Sequence, residues 1–123
     1  MSIEALNFIS DLMNFLDVPY NFMEWKGKVP KTYFVGEYQE TPTLTKEEDG
    51  YHETSFILNG FTRDSWLSLE QTKAKIEKVL PRQAIVEGSA VAVFFENALV
   101  VPTGDSELKR IQINLTIKEW RVK

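Results

Sequence analysis

The 123 residues carry 14 basic and 18 acidic side chains, for a net charge of -4, and include no cysteine. That length makes one domain, residues 1–123, able to bury roughly two-thirds of its unfolded surface without cross-links. Scattered Lys and Arg in an acidic chain argue against a phosphate-gripping surface, the missing cysteines exclude disulfides, and the longest apolar run, Ala90 to Phe95, is far short of a membrane span. Glu4 and Asp11 replace the basic start that a signal peptide needs, and Asn7 and Ser10 break its apolar stretch.

In chain order, Ser2 is placed as the N-cap of a first helix, with Glu4 near its positive end. Ile3, Leu6, Ile9, Met13 and Leu16, with Leu12 beside them, give one apolar face at three- and four-residue steps. Pro19 ends the element and pushes Val18 out of the helical region. From Tyr20 to Lys26 the pattern alternates, predicting a short strand, and Gly27 and Pro30 bracket a turn. Lys31 to Glu40 is a second strand rich in aromatic and β-branched residues. Thr41 to Gly50 is polar and reads as a long exposed loop or hairpin tip.

Tyr51 to Phe61 resumes strand character. Asn59-Gly60 would ordinarily announce a hairpin, but so little chain remains before a helix start at Asp64 that a strand-to-helix turn is expected. In the second helix Trp66, Leu69, Ile76, Val79 and Leu80 share a face, and Pro81 stops it. Ala84 to Glu87 is a candidate short strand and Gly88-Ser89 a break. Ala90 to Glu96 reads as a strand apolar on both faces. Leu99 to Val101 forms a separate apolar patch closed by Pro102, and Gly104-Asp105 turns the chain onward.

The last strand, Leu108 to Val122, has the clearest pattern. Ile111, Ile113, Leu115 and Ile117 alternate with Gln112, Asn114, Thr116 and Lys118, one oily face and one wet face. Trp120 and Val122 fall out of this phase, so either a bulge restores the register or they point to the opposite face. The expected fold is α+β: two helices packed on one face of a twisted, mostly antiparallel sheet, in the order α-β-β-β-α-β-β with a possible extra short strand.

Chemistry is sparse. His52 is the only histidine, and with no cysteine a zinc site would need mostly carboxylates. Glu47-Glu48-Asp49-Gly50 lacks the alternating ligand spacing and distal Glu of an EF-hand loop. The six glycines are isolated, so no phosphate loop forms. Gly88-Ser89-Ala90 lacks a nearby base for a nucleophile elbow, and Glu37 and Glu53 are an acidic pair on neighbouring strands that could face each other. No enzyme activity, metal or cofactor is expected. The fifteen aromatic residues exceed what two helices and one sheet need. Trp25, Tyr38, Tyr51 and Trp120, with Val122, are the candidate interface, since aromatics are enriched where proteins cover one another.

Three stretches together resemble the small tail-terminator (tail-completion, or minor capsid) proteins of long-tailed phages and prophages. They are PKTYFVGEYQE (Pro30 to Glu40) with the acidic loop after it, FILNGFTRDSWLSLEQTKAKIEKVL (Phe56 to Leu80), and VAVFFENALVVPTGDSELKRIQINLTIKEW (Val91 to Trp120). The resemblance implies a structural role and no catalytic residues: a hexameric ring at the head-proximal end of the tail tube that stops tube polymerisation and docks to the head connector. Its implied partners are copies of itself, the tail-tube protein and the connector, with DNA passing through an acidic channel unbound, first in the host cytoplasm and then in the virion. It also implies that the loop holding Thr41, Thr43, Lys46, Glu47, Glu48 and Asp49 becomes ordered on assembly. The alternatives are a head-closure or connector component of the same junction, and a small acidic inhibitor or immunity-type module that plugs a basic partner.

Overall fold

The computed structural model describes residues 1–40, 51–86 and 88–121. Helix α1 spans Ile3–Phe15, and Ser2 caps it by accepting from the Ala5 amide. Its buried stripe is Ala5, Ile9, Leu12 and Met13, with Leu6 and Leu16 half-buried against the core. Ile3, expected on that stripe, is 73% exposed, because the buried stripe begins at Ala5, two residues on and about half a turn around the helix. The helix stops before Pro19 acts on it. Asp17 takes a left-handed φ of 59°, the Asp17 amide donates to Asn14 O and the Val18 amide to Met13 O, which closes the last turn as a Schellman motif.

Strand β1 is only Tyr20–Phe22, shorter than the alternation to Lys26 implies. Met23 turns out of it with a φ of 70°, its amide donating to Gly36 O at 2.7 Å. Strand β2 is Thr32–Glu40 and β3 is Tyr51–Thr62. Asn59-Gly60 is therefore no turn: it lies inside β3, opposite Val35 and Phe34. Gly60 sits where a Cβ would collide with the Phe34 ring, so only glycine fits against it. Gly36 does the same for Phe56, whose Cζ would stand 2.7 Å from an added Cβ.

Helix α2 is Trp66–Lys78. Its start is held by Thr62 Oγ1, which accepts from the Asp64 amide, and by Ser68 Oγ donating to Asp64 Oδ2. Leu69 and Ile76 are buried, but Trp66, expected on the same face, is 38% exposed because it begins the helix beyond the sheet's cover. Strand β4 is Arg82–Val86, β5 is Ser89–Val101 and β6 is Lys109–Arg121. The two apolar stretches expected either side of Asn97 are one strand. A register shift between Phe95 and Asn97 lets Ala98 join Phe95 on the core side.

The sheet runs β1-β2-β3-β6-β5-β4, with β1/β2 parallel and every other pair antiparallel. Both helices cover one side: α1 approaches β1 and β5, and α2 approaches β3 and β6, so the sheet curls around them. Between these layers lie Phe34, Phe56, Leu58, Val91, Val93, Ile111, Ile113, Leu115 and Ile117, all at or below 1% exposure. Each such side chain contributes about 1.5–3 kcal/mol over an exposed one. β3 and β6 pair without interruption from Thr62/Lys109 to Tyr51/Trp120, so no bulge rescues Trp120. It lies half-buried on the helix-free face, and Glu119 takes the core-facing position instead.

Candidate functional site

The interface aromatics do not form one patch. Trp25 sits half-buried after β1, its ring 5.4 Å from Tyr33, with Nε1 donating to Lys28 O at 3.2 Å. Tyr33 stacks on Phe61 at 5.2 Å, and the Arg110 guanidinium covers Phe61 at 5.6 Å, so this row crosses the helix-free face near one end. Tyr38 is on the helix-covered side, stacked on Phe22 at 5.9 Å and 38% exposed. Tyr51 faces Trp120 in register across β3 and β6. The Tyr51 side chain and Val122 lie outside the described residues, as do Thr41, Thr43, Lys46, Glu47, Glu48 and Asp49.

The carboxylate pair also separates. Glu37 is level with Ile57, not with Glu53, and accepts from Asn59 Nδ2 at 2.9 Å. Asn59 Oδ1 in turn accepts from Arg110 at 2.7 Å, giving a guanidinium–amide–carboxylate chain across three strands. His52 is exposed on β3. Among the described residues no group of three or more His, Cys, Asp or Glu side chains is placed to hold a metal ion, and no helix is long and apolar enough to cross a membrane. Burial pushes the Tyr20 hydroxyl well above the ordinary tyrosine range.

What the fold leaves open are strand edges. β4 pairs with β5 only from Ser89 to Val93, so Phe94–Val101 have no strand on that side among the described residues. Leu99 and Val100, on opposite faces, are 45% and 56% exposed, and Ile85 on β4 is 70% exposed. Trp66 of α2 shares a groove with Val100 and the 102–109 segment, and Leu67 beside it is 62% exposed. At the far end, β1 is the terminal strand, and Met23 and Val29 near it are 61% and 47% exposed. Edges like these are templates for another strand. Sequence reasoning missed the β5 edge because Leu99-Val100-Val101 read as an isolated patch. The signal was its apolar character on both faces beside Pro102, a residue that cannot extend a ladder.

No protein-family model matches the chain, and no curated protein matches it.

Proposed function

We propose that the protein is a structural ring component of a long-tailed phage, seated at the head-proximal end of the tail tube, where it stops tube growth and docks to the head connector. One observation carries the reading beyond the resemblance in sequence: a single subunit offers two different strand edges at the two sides of its sheet, each beside exposed apolar side chains. Contact between unlike surfaces on identical subunits propagates head to tail and closes as a ring when the rotation allows. A hexamer of chains each carrying -4 surrounds an acidic channel, through which DNA passes without adhering.

The test is polymerisation of purified tail-tube protein with and without this chain, followed by negative-stain imaging. Rings alone, and tubes of limited length capped at one end when mixed, are the expected result. Tubes that grow to the same length and bear no cap in its presence would refute the role.

A further inference from the structure

The outer edge of β1 and the open part of β5 are matched to each other, and the register shows how. Asn21 on β1 is level with Val35, then Asn59, then Gln112, then Leu99 on β5, a straight row across five strands. Tyr20 is level with Val100 through Phe34, Gly60 and Ile111, and Phe22 with Ala98 through Gly36, Leu58 and Ile113. The open part of β5 and the whole outer edge of β1 thus stand at the same height in the sheet.

Direction agrees as well. β1 runs with β2, and β3, β6 and β5 then alternate, so β5 runs opposite to β1. A copy related by rotation about an axis along the strands keeps its own β1 in the original direction, and brings it antiparallel to the first copy's β5. The faces agree too. Asn21 and Leu99 both lie on the helix-free side, while Tyr20, Phe22, Ala98 and Val100 lie on the helix side. Joining them sends like faces to like faces. The edges are apolar where they would meet, with Met23 at one and Leu99 and Val100 at the other.

We propose that copies of this chain join by adding β1 of one subunit, Tyr20–Phe22, antiparallel to Ala98–Val100 on β5 of the next, with Asn21 beside Leu99. The occupant of the β5 edge is therefore a second copy. This rests on the ring reading above, and it names the contact that closes the ring. The β4 strand marks the limit of the joint, because it covers β5 from Ser89 to Val93 and leaves room only beyond it.

The chain has no cysteine, so introduced thiols report without background. Asn21→Cys and Leu99→Cys are made as separate proteins, each checked for folding by circular dichroism, then mixed and mildly oxidised. Residues directly opposite in a ladder come within disulfide reach. A covalent heterodimer from the mixture, none from either protein alone, and a ladder of covalent oligomers from the double variant are the expected results. Leu99→Lys with Val100→Lys, in side chains already half-exposed, weakens self-association about tenfold or more.

Leu99→Cys protein that cross-links to itself would overturn the pairing in favour of a two-fold joint between β5 strands. Rings seen by imaging with no link between Asn21→Cys and Leu99→Cys would overturn it and leave the ring reading standing. A strict monomer by light scattering at every concentration, with no cross-link, would overturn both. Cross-linked rings that leave tube growth unchanged would keep this joint and remove the tail role.

Discussion

Glu119, on the core-facing side of β6, accepts from both the amide and the hydroxyl of Ser2, the residue that caps α1. Ser2 Oγ also accepts from the Ala5 amide at 3.1 Å, so one hydroxyl joins the helix start to the last strand. Glu119 is only 9% exposed, and a carboxylate so covered needs its donors. Ser2→Ala is expected to lower stability by about 1–3 kcal/mol, a lost cap plus a buried acceptor left short. Urea unfolding checks it, and the Ser2→Ala, Glu119→Gln double variant should cost clearly less than the two single changes added. Strict additivity would show that the two residues act separately.

Gly60 and Gly36 carry no chemistry, yet substitution at either should be costly. Phe34 and Phe56 are fully buried, so their rings have nowhere to retreat from a new methyl group. Gly60→Ala is expected to destabilise by about 1–3 kcal/mol. Adding Phe34→Leu should recover part of the loss by freeing the space over the strand. A melting temperature for Gly60→Ala equal to the parent's would contradict the close approach.

Asp17 ends α1 with a left-handed backbone that an L side chain adopts at a cost. Asp17→Gly is expected to raise stability by about 0.5–1 kcal/mol, since the residue is exposed and glycine takes that conformation freely. Equilibrium denaturation gives the answer, and a loss of stability would mean that the Asp17 side chain holds the turn.

The pH dependence follows from Tyr20. Its hydroxyl is held neutral by burial, so its pKa is higher folded than unfolded. As pH rises past the ordinary tyrosine value, the unfolded chain gives up this proton while the folded one keeps it. The stabilising contribution is therefore full below that value and lost as pH climbs from it toward the folded pKa. Phenolate absorbance of the folded protein should show a step well above the ordinary tyrosine range. Tyr20→Phe should remove that late step and flatten the alkaline fall in stability. An unchanged titration in Tyr20→Phe would assign the late step elsewhere.

Periodicity made the framework legible. The alternation of Ile111 to Ile117 is the centre of the sheet, and the helical stripes of α1 and α2 fall on the side those isoleucines face. What periodicity could not settle came from contacts across the sheet. Asn59-Gly60 has the chemistry of a turn, and only Phe34, from another strand, explains why it stays extended. The slip at Trp120 had two readings, and Glu119 decides between them because Ser2, far away in sequence, supplies donors at the core position. Periodicity assigns the expected interface aromatics to no core position, and it does not say that Trp25, Tyr38 and Trp120 lie in separate places. The matched edges were hidden for a related reason: that Asn21 and Leu99 share a level is a property of four successive pairings.

The central ladder joins β3 to β6, so the middle of the sheet is completed by a strand made after both of its neighbours, β3 and β5. Without β6 the sheet order leaves two separate halves, β1-β2-β3 and β4-β5, each with an uncovered inner border. Closing contacts this distant in sequence makes folding slow compared with helical proteins of the same size. Unpaired borders of this kind are templates for another chain, so an incomplete sheet is exposed to mispairing until β6 fills the gap.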